Sequence, residues 1–442
     1  MSDKSGEPTL ARNIGLIGLV VYGVGDMVGA GIYGTTGVAA GVMGNAVWLA
    51  FLGSMIAAML TGLSYASISS RYPRAAGAAY VVQRAFGAPY VSYVVGLAVV
   101  ASGLTSIATG SRVFAGVLQP WLGGAPIVLL ALGFLVLISL VNFRGITESL
   151  LVNVLCTIVE VGGLVFVIVV GSRFWGTVDY FETPMGHGGE GLTLGLVLSG
   201  AVLTFYAFVG FEDLLNLAEE TKNPRRTMPL GIVFALLVVT VLYIAVSVTA
   251  VSVVPFAKLA DVSNGAPLTQ LINRAAPWVP GWLFTAITLF AVSNTALMNN
   301  IMGSRLLYGM SRQGLLPAVL GRVHAGRRTP HIAIAVLFVV VAALILSGDI
   351  AQLASATSLL LLTCFLIVNV ALLVLQRRAG EEKGGFEVPA IVPALGAFVC
   401  AGLIASRLVS GDIRAPLIAG AVLAVISVLF VLTRPRKAVA DL

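Results

Sequence analysis

Charged side chains are scarce in this chain: Asp, Glu, Lys and Arg make up 10% of its 442 residues, against about a quarter in a soluble globular protein. Histidine occurs three times, as His187, His324 and His331, all near loops. No clustered His/Cys/Asp set and no nucleophile with a nearby base points to an enzyme. The three cysteines, Cys156, Cys364 and Cys400, lie inside apolar runs without CxxC spacing, which argues against both a disulfide framework and a zinc site. A GxxxxGK[ST] phosphate loop is missing, so a nucleotide-driven pump is excluded within this chain. No metal and no cofactor is expected.

What remains is hydrocarbon. Apolar residues make up 58% of the chain, and the mean hydropathy is +1.00. Such a composition suits lipid as the solvent, where backbone polar groups must be satisfied inside helices. The 50 glycines and 18 prolines would damage soluble helices. In a membrane bundle, neighbouring helices re-satisfy freed backbone groups and small residues permit close packing.

A span needs roughly 20 mostly apolar residues. Runs that qualify lie near 14–40, 45–70, 89–119, 125–142, 149–171, 192–218, 229–254, 280–308, 331–347, 350–376, 389–409 and 415–433. The fold class expected is an all-α membrane protein of twelve transmembrane helices. A ten-helix core would cover 14–376 and two additional helices 389–433, with tails at 1–13 and 434–442. An even number of spans puts both termini on one side. Taking that side as cytoplasmic places 20 of the 26 basic residues in cytoplasmic loops and tails, as the positive-inside rule requires. The first apolar run is too long for a signal peptide, so the N-terminus is read as a retained cytoplasmic tail in an inner (cytoplasmic) membrane. The net charge of +7 is then a topology signal facing anionic lipid, spread over loops, and not a nucleic-acid site.

Two runs do not read as ordinary helix. Within 23–34 of the first run stand Gly23, Gly25, Gly29, Gly31 and Gly34, and each internal glycine costs about 1 kcal/mol relative to alanine. Either this segment is unwound, or it is a close-packing face, since Gly25 and Gly29 also satisfy GxxxG. In the sixth run, Phe205-Tyr206-Ala207-Phe208-Val209-Gly210 is followed at once by Phe211, Glu212 and Asp213. The irregular runs are first and sixth, five apart. Two inverted five-helix repeats, about 14–171 and 192–376, would place them so, each led by a broken helix. This pairing favours the unwound reading. Half-helix N-termini offer free N–H groups to a carboxylate, and half-helix C-termini offer carbonyls to an ammonium or a metal cation. An α-amino acid is a zwitterion of that shape.

The motifs resemble the amino acid–polyamine–organocation (APC) permeases. Gly29-Ala30-Gly31-Ile32-Tyr33 is similar to that family's GSGIF-type break. Gly210-Phe211-Glu212 with the stretch Ala218 to Arg226 (AEETKNPRR), and Ser304 to Pro317 (SRLLYGMSRQGLLP) followed by Arg328-Thr329-Pro330, complete the likeness over about 10–380. The resemblance implies a leucine-transporter-like 5+5 inverted-repeat bundle working by alternating access. It implies that Gly29, Ala30 and Gly31 face a substrate carboxylate. Phe205, Tyr206, Ala207 and Phe208, before Gly210, would supply carbonyls for the ammonium and an aromatic lid. Tyr206 falls where some relatives carry a gating tryptophan. Some relatives are disulfide-linked to a partner through a loop cysteine between spans three and four. That loop here, QPWLGGAP, has no cysteine, so no covalent partner is implied.

Acids inside a bilayer are costly and usually functional. Glu160 sits in mid-span where many proton-coupled relatives place a lysine, the position at which sodium-coupled members hold sodium. Glu160 could exchange a proton as the bundle rocks. Alternatively, ionised Glu160 could hold sodium together with carbonyls near Gly25 and Val28 and with Ser293 or Asn294. The proton is favoured. Asp26, one turn before the first break, and Glu212, which resembles a glutamate of several family members, are further coupling candidates. Both could instead cap freed N–H groups. On an α-helix Glu212 and Asp213 would point about 100° apart, leaving one of them on the pathway. Thr357 and Ser358 are candidates for polar lining. The excess of buried acids favours a cationic or amine-bearing solute, or protons alone. The function expected is proton-coupled secondary active transport of amino acids; the alternatives are a polyamine or amine transporter, an amino acid exchanger, or a sodium-coupled symporter using Glu160. An ion channel would show a filter-like repeat, which is absent.

Overall fold

Backbone amides in lipid have no water to bond and must pair within helices. The computed structural model describes residues 14–73, 77–184, 191–218, 221–261, 266–312, 314–327, 329–347, 350–381, 383–409 and 414–433. The two expected tails, His187, and Glu219, Glu220, Gln313 and Arg328 of the motifs lie outside the described residues. Among the described residues every regular element is helical, and the only β feature is an isolated bridge between Ile14 and Thr221.

The helices are, in order, α1 (Leu16–Met27), α2 (Ala30–Met43), α3 (Val47–Arg71), α4 (Gly77–Phe86) and α5 (Pro89–Leu118). Then come α6 (Ile127–Arg144), α7 (Ile146–Gly171), α8 (Leu194–Phe205), α9 (Pro224–Val253), α10 (Phe256–Ala260) and α11 (Pro267–Ala275). The chain continues through α12 (Gly281–Arg312), α13 (His331–Ser347), α14 (Ile350–Arg377), α15 (Ile391–Val409) and α16 (Arg414–Thr433). Nine helical stretches among the described residues are long and apolar enough to cross a membrane, and Leu16–Met27, His331–Leu346 and Pro416–Leu432 are shorter apolar helices. The protein is a multi-pass, all-helical membrane protein.

The packing places α1 against α9 and α7, α3 against α9 and α8, and α5 against α12 and α14. Leu137, Leu140, Ile158, Val169, Val339 and Val431 remain exposed, as lipid-facing positions should. Between helices, buried polar side chains satisfy one another, since hydrocarbon offers them no other partner. Asn369 on α14 accepts from Ser64 (2.6 Å) and donates to Thr61 (3.0 Å) on α3. Asn142 on α6 donates to the Asn300 side chain on α12 (2.6 Å).

The loops are docked. The Asn45 backbone N–H and side-chain amide donate to Glu182, at 2.9 and 2.7 Å. Gly44 beside it (φ +66°) has no room for a Cβ, which would sit 2.6 Å from the Glu182 carbonyl. Segment 255–279, which hydropathy alone reads as loop, folds into α10 and α11. Leu268, Leu271, Ile272 and Ala275 of α11 are buried at helical spacing. At the end of the bundle that carries α4, the turn between α14 and α15 straps back over α3. Glu387 takes a two-point grip from Arg71 (2.8 and 2.6 Å), and Glu381 accepts from Tyr72 (2.5 Å) and Arg84.

Candidate functional site

Helix α1 stops at Met27, Val28 turns extended (φ −77°, ψ 116°), and α2 restarts at Ala30. Helix α8 stops at Phe205 and passes into a tight turn, Tyr206–Phe208. The chain reverses at Gly210 and continues as a second tight run, Phe211–Leu217. Gly210 has φ +126°, a region costly for any side chain. A Cβ there would stand 3.1 Å from the Asp26 carboxyl carbon.

The two interruptions touch. A Cβ on Gly31 would lie 2.5 Å from Ala207 Cα. The Tyr243 hydroxyl, from α9, sits 2.7 Å from the Met27 carbonyl and 2.9 Å from the Ala207 carbonyl. One proton therefore serves an acceptor from each interruption, leaving carbonyl capacity unspent. The other glycines of the run meet different neighbours. A Cβ on Gly25 would strike the Thr157 hydroxyl of α7, and one on Gly29 the Thr295 hydroxyl of α12. The helix stops here and is also a close-packed face, so both properties of the glycine run are present. The first N–H groups of α2 have no intrahelical acceptors, and the Met27 and Ala207 carbonyls lie close by. Donors and acceptors of the backbone thus stand near one another where the two interruptions meet.

Glu160 is fully buried on α7, with neither carboxyl oxygen hydrogen-bonded. Asn294 lies beside it and donates to the Gly25 carbonyl (3.1 Å), while Asn153 donates to Asn294 (3.2 Å). The Tyr33 hydroxyl donates to the Glu160 backbone carbonyl (3.1 Å). Glu160, Asn294 and Gly25 are thus gathered at the first interruption. Ser293 instead donates back along its own helix to Leu289 (2.6 Å). Asp26 is buried, its carboxyl also without a partner. Glu212 accepts the Gly210 N–H (3.0 Å), the capping role weighed for it above.

Phe205 and Phe208 are fully buried; Phe205 packs on Phe365 (5.9 Å between centroids) and Phe208 on Tyr243 (5.2 Å). Tyr206 stands apart from that core, with Val292, Val113 and Phe114 around its ring and its hydroxyl 3.2 Å from Ser106. Of Ala30 only the backbone is described. Thr357 is buried and shares a hydrogen bond with Thr105. Asp213 departs from the α-helical expectation. Glu212 and Asp213 both border two narrow crevices, one with Ser102 and Asn299 and the other with Tyr65 and Asn216. Tyr243 is the residue sequence reasoning missed; nothing in the local pattern around it marks it, since its partners are backbone carbonyls from distant segments.

The amino acid permease family profile matches residues 14–433. The branched-chain amino acid permease BcaP of Bacillus subtilis (strain 168) is 29% identical over 90% of this chain and 89% of its own length. The methylthioribose transporter of the same organism is 28% identical over 90% and 89%. The chloroplastic cationic amino acid transporter 9 of Arabidopsis thaliana is 32% identical over 72% of this chain and 58% of its own. The family and these relatives are transporters and not enzymes.

Proposed function

We propose that this chain, which belongs to the amino acid permease family, is a proton-coupled secondary active transporter of amino acids working by alternating access, with a preference for cationic or amine-bearing substrates. The observation that carries the reading is the contact between two interrupted helices inside the apolar bundle, Val28–Gly29 and Tyr206–Gly210, bridged by Tyr243. Free N–H groups at the start of α2 would receive the α-carboxylate, and the Met27 and Ala207 carbonyls the ammonium, a dipolar cradle for both charges. The reading takes α1 with α2 as one broken span and counts α13 and α16 as spans, giving twelve crossings. Ten would form a 5+5 inverted repeat over about 14–376, with α15 and α16 added outside it and both termini cytoplasmic.

Glu160 is assigned the coupling proton, with Asp26 and Glu212 as further acids on the route. A second reading is supported by Asn294, which stands beside Glu160 and donates to the Gly25 carbonyl: the same group could hold sodium. Uptake into proteoliposomes under an inward proton gradient, with and without sodium, compares wild type with Glu160→Gln. Gradient-driven uptake lost in the variant, with exchange retained, supports the proton assignment; sodium-dependent uptake, or a variant still driven by protons, overturns it.

A further inference from the structure

Beside the second interruption, the bundle is shut at the end that carries α4. Between the Phe211–Leu217 run and α4 lies a crevice of about 10 Å³, bordered by Asp213, Asn216, Tyr65 and the Gly77–Ala79 start of α4. That is room for about one water. The cover is close: a Cβ on Gly77 (φ +58°) would stand 3.3 Å from the Asn216 side-chain oxygen. Anything larger than water that passes here has to displace α4.

Helix α4 depends on what holds it. Its 10 residues are too few for a helix to stand alone in water. Its buried face, Ala78, Ala79, Val81, Val82 and Ala85, consists of small side chains with little area to bury. At its last turn the polar hold comes from the strap between α14 and α15. Arg378 donates to the Arg84 and Ala85 carbonyls, both at 2.7 Å, acceptors that a helix C-terminus leaves open. Arg84 pairs with Glu381. The strap is pinned to α3 in turn. Glu387 takes two contacts from the buried Arg71 and also accepts the Gly384 N–H (2.6 Å). One carboxylate thus folds the strap and fastens it. Gly384 lies on the last turn of α3, where a Cβ would stand 2.8 Å from the Ser70 hydroxyl oxygen. The Phe386 N–H donates to that hydroxyl (2.9 Å), which donates to the Arg225 carbonyl at the start of α9 (2.9 Å). Glu387 keeps 30% of its side chain exposed, and ion pairs within reach of water are readily exchanged for hydration, so this fastening is reversible.

We propose that the strap is a latch: Glu387 on Arg71 and Glu381 on Arg84 hold α4 over the crevice, and their release opens that end of the bundle. The latch acts on access, whatever solute is carried.

The test is the rate at which a membrane-impermeant thiosulfonate modifies Asn216→Cys in the full-length protein in lipid nanodiscs, with the three native cysteines replaced by alanine. That rate follows the open fraction. Adding Glu387→Gln should raise it at least about tenfold, the loss of a charge-assisted contact from the closed arrangement. Glu381→Gln, at the pair with the more exposed arginine (38% against 5%), should raise it about threefold. It carries the test if Glu387→Gln fails to fold. Cys400, buried against Thr61 and kept as the sole cysteine in a parallel set, should stay unreactive throughout. Unchanged rates in both variants overturn the latch. So does a rise at Cys400 in step with Asn216→Cys, which would mean that the whole bundle had loosened.

Discussion

Removing one oxygen atom should weaken the cradle. In Tyr243→Phe the ring keeps its packing on Phe51 and Phe208, while the Met27 and Ala207 carbonyls lose the donor now 2.7 and 2.9 Å away. Leaving a buried acceptor unsatisfied costs about 1–3 kcal/mol. If that cost falls on the closed arrangement that grips substrate, affinity drops roughly five- to 150-fold. The assay is substrate KM in proteoliposomes alongside the melting temperature in detergent. A raised KM with melting changed little places the hydroxyl in the closing of the cradle. A variant within twofold of wild type in KM would refute the reasoning. A large melting loss with KM unchanged would make Tyr243 a packing residue only.

Gly31→Ala would force a Cβ to within 2.5 Å of Ala207 Cα and 2.9 Å of its Cβ. Overpacking of this kind costs about 1–3 kcal/mol, so uptake per molecule should fall at least fivefold; normal uptake would mean the interruptions need not touch. Asn369→Leu removes the polar link from α14 to α3 and should lower the melting temperature while sparing KM. At the α4 end, burial works against the Glu381 carboxylate, but hydrogen bonds from Tyr72 and Arg84 hold its pKa below the ordinary glutamate value. A carboxyl so depressed stabilises the fold above its ordinary pKa of about 4.3, and that contribution is lost as pH falls through the depressed value. Glu381→Gln should therefore lower melting at pH 7, and the difference should vanish in strong acid; a difference that persists there would refute the charge argument.

The spans were legible because hydropathy reports them directly: the run near 89–119 is α5 (Pro89–Leu118), and that near 331–347 is α13 (His331–Ser347). The interruption sites were legible too, from glycine density at 23–34 and from Gly210. Helix α11 could have been read from its apolar spacing and the proline at its start, but a short amphipathic helix is masked by low hydropathy. Tyr243 was invisible because its role depends on carbonyls brought from two other segments, which no local pattern encodes. The strap from Glu381 to Glu387 pairs with arginines some 300 positions away, Arg84 and Glu381 lying 297 positions apart in the chain.

The central claim is that the two interruptions hold both charges of an α-amino acid. The measurement that tests it most directly is equilibrium binding to the purified protein, comparing leucine with its methyl ester and with 3-methylbutylamine, which lack the free carboxylate. Both should bind at least about tenfold more weakly than leucine, the loss of one charge-assisted partner. Equal binding of the amine and the amino acid would contradict a carboxylate seat at the start of α2, and with it the proposed cradle.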